Sequence, residues 1–315
     1  MTEICKGLDG VSEDDVAYGI TPPGYRLPAG LRLGPVRLQV SDLARSTEYY
    51  EEVLGFRVID RDEGVVALGP HGADEVLLEL RGGAIATPPA RPPRLGLYHV
   101  AYLLPSRADL GRFLRHLGEL GVRAGASDHY VSEAIYLNDP DGLGIEVYAD
   151  RPRSAWRTKG CELEMATVPL DVPAVLAAAG ESKWGGLPAG TTVGHIHLHV
   201  GNLETAADFY HRALGFDKVV WSYPGALFLS AGGYHHHLGM NIWAGNRAEP
   251  AREDEPRLSE WTIELPDPEN VSAAARSLEE AGYPVERTPE GAGFVTRDPW
   301  GTALRVRVAG KVLQG

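Results

Sequence analysis

An α+β fold assembled from four strand–helix–strands modules is what this sequence predicts, on three observations. The chain has 315 residues, about twice the ~150-residue length of an ordinary domain. One segment recurs at an offset of 160: Val36-Arg37-Leu38-Gln39-Val40-Ser41-Asp42-Leu43 aligns with Ile196-His197-Leu198-His199-Val200-Gly201-Asn202-Leu203, Tyr50 with Tyr210, and Leu54-Gly55-Phe56 with Leu214-Gly215-Phe216. A fainter pair sets Asp139-Pro140-Asp141-Gly142 before Ile145-Glu146-Val147-Tyr148 against Asp298-Pro299-Trp300-Gly301 before Leu304-Arg305-Val306-Arg307. Repeats of this length mark stacked structural units.

Each copy of the first repeat reads as a strand, a polar turn that caps a helix, and a helix ending at glycine. The strand alternates with period two, while Leu43, Tyr50, Val53 and Leu54 recur at helical spacing. The second and fourth modules open with strands His99 to Leu104 and Glu260 to Leu265. Each is followed by a proline-containing turn and a helix, Ala108 to Leu120 and Asn270 to Ala281. Asp-Pro-x-Gly is turn chemistry between two strands, proline fixing φ and glycine free to take it positive. The modules fall near 35–83, 97–150, 194–245 and 259–308. The expected domains are a Gly/Pro-rich N-terminal arm (1–34), modules 1 and 2 (35–150), a linker with one short helical run from Val172 to Ala179 (151–193), and modules 3 and 4 (194–310).

Hydrophobic residues at 43% and charged residues at 23% are ordinary for a globular chain and exclude disorder or fibrous structure. No run approaches the ~18 apolar residues of a membrane helix, and MTEICKGLDGVSEDD has no signal-peptide core. The 2 cysteines, Cys5 and Cys161, cannot form a dense disulfide framework or a zinc ribbon, so a cytoplasmic setting is expected. A net charge of −13 repels nucleic acid and leaves a small-molecule ligand as the expectation. Gly180, Gly185, Gly186 and Gly190 lack phosphate-loop spacing, no serine sits in a nucleophile elbow, and Cys161 has no positioned histidine.

The four modules resemble the vicinal oxygen chelate superfamily of βαβββ units, which includes glyoxalase I, bleomycin-resistance proteins and type I extradiol dioxygenases. Gly96-Leu97-Tyr98-His99, Asp128 to Leu137, Gly194 to Val200 and Tyr234 to Gly239 carry a closer likeness to the two-domain bacterial catechol 2,3-dioxygenases. The resemblance implies two half-barrel cups, each made of two modules, with metal ligands on each module's first and last strands. The family's first-strand ligand precedes the strand's closing valine by five residues, which selects Pro35, His99, His195 and Glu260. The last-strand places fall at Glu79 or Leu80, Glu146, near Asn241, and Arg305.

Among module pairs, 2 with 3 assembles His99, Glu146 and His195, a 2-His-1-carboxylate set suited to non-haem Fe(II). Modules 1 and 2 place proline at the third position, and modules 3 and 4 place Arg305, a permanent cation that cannot ligate one. The expectation is therefore that modules 2 and 3 pair around the metal and modules 1 and 4 form a metal-free half, unless the ligands meet across a subunit boundary. A lone strand histidine is more often a hydrogen-bonded core residue, and Glu146 alone reads as a solvent-facing edge residue. But His195, His197 and His199 share one strand face, and three inward imidazoles need polar partners that an apolar core lacks.

The resemblance further implies an Fe(II) or Mn(II) extradiol dioxygenase acting on a catechol and O2, with no membrane or nucleic-acid partner and homo-oligomerisation open. Ring cleavage beside the diol needs an acid–base group, and extradiol enzymes take a histidine from the last strand of the first-ligand module. His237 is the expectation, since it and Asn241 share a face four residues apart; His236 is the alternative if a bulge intervenes. Tyr136, ten residues before Glu146, matches the family's tyrosine, and His129 corresponds to a further site histidine at slightly short spacing. His197 and His199 are expected to line the cup or to hydrogen-bond the ligands. Trp243, Tyr148 and Tyr130 are the candidate aromatic wall. Two rival readings remain: a glyoxalase-type isomerase or lyase, which ordinarily carries a second carboxylate where Asn241 stands, and a metal-free binding protein of the resistance type.

Overall fold

The computed structural model describes residues 18–83, 93–288 and 293–310. A short strand β1 (Arg32–Leu33) precedes module 1: β2 (Val36–Gln39), α1 (Leu43–Glu52), β3 (Arg57–Asp62), β4 (Val65–Gly69) and β5 (Leu78–Arg81). Module 2 runs β6 (Gly96–Leu103), α2 (Arg107–Leu120), β7 (Gly125–Asp128), β8 (Ser132–Asn138) and β9 (Gly144–Asp150). The connection contains β10 (Thr158–Lys159), β11 (Glu162–Leu163), β12 (Val168–Pro169) and α3 (Val172–Ala178). Module 3 is β13 (Thr192–His199), α4 (Leu203–Ala207) continuing into a π-helical turn at Asp208–Ala213, β14 (Asp217–Val220), β15 (Ala226–Ser230) and β16 (Leu238–Asn241). Module 4 is β17 (Arg257–Leu265), α5 (Pro268–Glu280), β18 (Glu286–Arg287), β19 (Gly293–Arg297) and β20 (Ala303–Val308).

The helices begin where the sequence supplies caps. The Asp42, Ser106, Asn202 and Asp267 side chains each accept the backbone N–H three residues on, and Pro268 opens α5. Gly121 closes α2 with φ 67, the left-handed conformation that glycine adopts without strain.

The strands form two sheets that curl into half-barrels. One runs β12-β7-β8-β9-β6-β13-β16-β15-β14; the other runs β18-β19-β20-β17-β2-β5-β4-β3, with β1 also on β17. Module 2 therefore pairs with module 3, and module 1 with module 4, as the ligand distribution anticipated. Antiparallel pairs join the halves of each sheet, His197 facing His99 in one and Arg37 facing Glu260 in the other.

The core is continuous across both sheets and keeps the repeat's pseudo-symmetry. Tyr50 of α1 packs on Phe56, which packs edge-on against Tyr102 of β6, ring centroids 5.8 and 5.0 Å apart. Its counterpart Tyr210 packs 6.2 Å from Trp261 of β17. The two Asp-Pro-x-Gly turns dock on the opposite repeat. Asp141 accepts the Ser41 N–H at 2.7 Å, and the indole nitrogen of Trp300 lies 2.6 Å from where a Cβ on Gly201 would stand. Residues 18–34 clasp modules 3 and 4: Ile20 bridges Lys218, Arg26 pairs with Asp217 at 2.8 Å, and β1 pairs with β17. The rest of the N-terminal arm lies outside the described residues. Among the described residues no helix is long and apolar enough to cross a membrane.

Candidate metal centre and active site

Three strands at the middle of the module 2–3 sheet place the ligands. Glu146 of β9 and His195 of β13 both lie opposite Ala101 of β6, with His99 two residues earlier on the same strand. Ala101 is fully buried, and its single methyl leaves room between the flanking side chains. Two bulges flank the ligands. Gly194 is the extra residue in β13 between the Val193–Tyr102 and His195–Ala101 pairs, and Tyr98 is the extra residue in β6 between His99 and Leu97. Bulges re-aim side chains at strand interiors. At Gly194 the space of a Cβ is taken by the Tyr148 hydroxyl, so only glycine fits there. Tyr98 is thereby turned to pack on His99, His197, His199 and Trp243.

His99 Nε2 and His195 Nε2 lie 3.3 Å apart, and each is within 3.0–3.1 Å of Glu146 Oε2. All three residues are buried and offer donor atoms to one point. Burial lowers both imidazoles from their ordinary range, and the facing carboxylate opposes it. Burial alone would raise the Glu146 carboxyl, but the two histidines carry it well below the usual carboxylate range. The donor set fits a divalent ion on two counts. Donors ~2.1 Å from a common ion at right angles lie about 3 Å apart. And a buried carboxylate needs a cation, yet no lysine or arginine lies among the described residues lining this cavity. His99, Glu146 and His195 would hold the ion.

The cavity above this point has a volume of about 220 Å³. Tyr136 lies opposite Glu146 in the β8–β9 register, and its hydroxyl is 2.5 Å from His129 Nε2. His129 Nδ1 is 2.6 Å from the Ala166 carbonyl and so donates to it, which leaves Nε2 to accept the phenol proton. Burial, then Glu146, pushes the Tyr136 phenol well above its ordinary range, keeping it a donor. His197 lines the cavity, held by Asn241. The Asn241 amide donates to His197 Nε2 at 2.9 Å and accepts from His199 Nδ1 at 2.6 Å and from the Trp243 N–H at 3.0 Å.

His237 is not where the four-residue spacing from Asn241 puts it. β16 begins only at Leu238, after a turn through Gly232 and Gly233, both at positive φ, so the count along a regular strand does not reach back to 237. The His237 ring instead turns outward against Phe216 and Tyr234, its Nδ1 accepting the Ala231 N–H at 3.2 Å. Burial depresses that imidazole to about 3. His236 takes the inward place, its ring 4.1 Å from that of His195 and 5.0 Å from Phe228.

The aromatic wall also departs from expectation. Trp243 lines the cavity, but Tyr148 is fully buried beneath His195, and Tyr130 is exposed, at positive φ, outside it. Tyr98, Tyr223 and Phe228 complete the wall instead. The segment 151–193, read as a linker, supplies Met165, Ala166 and Thr167 to the cavity, and Thr167 Oγ1 lies 2.9 Å from the Tyr223 hydroxyl. Of these residues only Tyr98, beside His99 in Gly96-Leu97-Tyr98-His99, had a signal in the sequence. In the module 1–4 sheet the corresponding positions hold an ionic network. Arg37 bonds Glu79 and Glu260 at 2.6 Å each, and Arg305 bonds Glu260 at 2.8 and 3.0 Å.

The Glyoxalase/Bleomycin resistance protein/Dioxygenase superfamily model matches residues 32–147 and 192–306. A catechol-2,3-dioxygenase of Bacillus subtilis (strain 168) is 43% identical over 270 residues, covering 85% of this chain and 93% of that one. A biphenyl-2,3-diol 1,2-dioxygenase of Rhodococcus globerulus is 29% identical over 122 residues, 38% of this chain and 63% of that one. A solved structure from Bacillus subtilis subsp. subtilis str. 168 superposes with TM-score 0.61 over 90% of this chain and 86% of its own, at 15% identity, a likeness of fold.

Proposed function

The chain belongs to the Glyoxalase/Bleomycin resistance protein/Dioxygenase superfamily, and on that premise we propose that it is an extradiol dioxygenase cleaving a catechol beside its diol. The observation that carries the reading is the convergence of His99, Glu146 and His195 beneath an aromatic cavity, in a chain 43% identical to a catechol-2,3-dioxygenase. We assign the metal as Fe(II), with Mn(II) the alternative, from the two imidazoles and one carboxylate. Held by His99, Glu146 and His195, such an ion would bind the diol and O2 and would lower the pKa of a bound hydroxyl.

The remaining chemistry falls to the chain. Tyr98, Phe228 and Trp243 hold a flat ring, and the absence of lysine and arginine among the described lining residues favours a catechol bearing no carboxylate or phosphate. Tyr136, whose O–H faces His129 in the free protein, turns that single hydrogen to an oxygen of the substrate. His236 takes the proton of the second hydroxyl and returns it to the product oxygen as the ring opens. His197 and Asn241 shape the cavity floor beside the ligands.

The isomerase reading is weaker here because Asn241 stands at the fourth ligand place, its amide already engaged by His197, His199 and Trp243. A metal-free binding protein would leave Glu146 buried without a cation. A cytoplasmic setting is part of the proposal and is tested by cell fractionation.

Oxygen consumption on adding catechol to protein loaded anaerobically with Fe(II), with the visible spectrum recorded, tests the function. Oxygen loss matched by a yellow semialdehyde product is expected. Catechol binding without either would reject ring cleavage.

A further inference from the structure

Behind His236, on the side away from the cavity, stands a row of polar groups that neither metal ligation nor substrate contact uses. His236 Nδ1 lies 2.7 Å from His235 Nδ1, and His235 Nε2 lies 2.8 Å from Asp150 Oδ1. The same carboxylate oxygen accepts the Tyr234 hydroxyl at 3.2 Å, and Tyr234 in turn meets the Tyr148 hydroxyl at 2.6 Å. His235 is fully buried, with Tyr148 and Trp156 against its ring.

The proton positions along this row follow from the donor inventory. An ionised carboxylate only accepts, so Tyr234 and His235 Nε2 both donate to Asp150. If His235 carries a single ring hydrogen, placed at Nε2 by Asp150, its Nδ1 presents a lone pair. The 2.7 Å contact is a hydrogen bond only if His236 Nδ1 carries the hydrogen. That leaves the lone pair of His236 on Nε2, the nitrogen free to serve the cavity that the ring lines.

We propose that Asp150 and His235 are positioning residues that hold His236 in its Nδ1–H form, so that Nε2 is the base facing the substrate. The geometry stands by itself; its catalytic consequence rests on the dioxygenase reading. When Nε2 accepts a hydroxyl proton, the imidazolium formed donates from Nδ1 to His235, whose own N–H points at the Asp150 carboxylate. The same proton stays on Nε2 for return to the product. Orientation of a catalytic imidazole by a buried acceptor is the logic of the hydrolase triad, here extended through a second histidine.

Nitrogen NMR of metal-free protein labelled in histidine reads the proton positions without turnover. His236 is expected to show a protonated Nδ1 and a bare Nε2, and Asp150→Asn, which can present either an oxygen or an amide hydrogen, to mix the two forms. In Fe(II)-loaded enzyme, Asp150→Asn and His235→Phe should lower kcat about 10–100-fold. Metal content should persist, with KM for catechol kept within about twofold. A protonated Nε2 on His236 in the wild-type protein would overturn the proposal, as would an unchanged kcat in both variants. The expected proton positions in a protein that never consumes oxygen with catechol would sustain the relay and reject the dioxygenase reading.

Discussion

Arg37→Met tests whether the module 1–4 half uses its ion pairs as the other half uses its metal ligands. Arg37 forms two 2.6 Å bonds, one to Glu79 and one to Glu260. Its side chain is 27% exposed, and those of Glu79 and Glu260 are 20% and 11%. Glu260 keeps two bonds from Arg305 after the substitution, so its loss is partial. Among the described residues Glu79 keeps Arg81 at 3.7 Å, so most of the cost falls there. Charge-assisted bonds contribute about 1.5–3 kcal/mol each when well buried, and surface pairs about 0–1. These sites lie between the limits, so about 1 kcal/mol per bond gives a loss near 2 kcal/mol. Adding Glu79→Gln removes the stranded carboxylate and should recover about half of that loss. The assay is a double-mutant cycle by urea denaturation of metal-free protein, with metal stoichiometry as the control that the other half is intact. An Arg37→Met variant as stable as the wild type would refute the reasoning, because desolvation would then outweigh pairing in this network.

His99→Ala, His195→Ala and Glu146→Ala should each abolish stoichiometric metal by elemental analysis, and retained metal in all three would remove the proposed centre. His236→Ala and Tyr136→Phe should retain metal but slow turnover by about 10²–10⁴-fold, whereas His237→Ala should leave turnover within about tenfold; a larger loss for His237 would reverse the assignment between the two. Gly194→Ala forces a Cβ onto the Tyr148 hydroxyl at 1.9 Å and should loosen metal binding by displacing the ring packed on His195, read by competition with a chelator. The depressed His237 imidazole has a definite sign: its folded value near 3 lies below the ordinary ~6.5. Unfolding therefore takes up a proton and stability falls as pH drops below ~6.5, levelling near 3. His237→Phe should flatten that part of the acid-denaturation curve, and an unchanged curve would mean the imidazole is protonated in the fold.

The module boundaries were legible because the 160-residue offset preserves both the strand period and the capping residues, and physics reads both locally. The pairing of modules was legible once the family resemblance gave the ligand places, since Arg305 and Pro35 could not complete a cation site whereas Glu146 with His99 and His195 could. What escaped were departures from regular strands. A double-glycine turn sent His237 outward, a bulge turned Tyr98 into the cup, and the strand run of Tyr148 carried no sign that its phenol would fill the notch at Gly194. Met165, Ala166 and Thr167 come to the cavity from a connection with no periodic pattern, placed by β12 pairing with β7.

The pairing of the modules is nested, like brackets within brackets, and this orders assembly in time. The residues that meet at the metal point from β6 and β13 are 96 apart in the chain, and the last strand of their sheet ends at Asn241. Arg37 and Glu260 are 223 apart, and their sheet is incomplete until β20 ends at Val308. During vectorial synthesis the inner half can therefore close while the outer half still lacks its partner. Module 1 emerges first yet waits longest, with the edge of β2 unpaired and open to other chains in the interval. A growing chain would thus own a complete set of ligands well before it owns a complete fold.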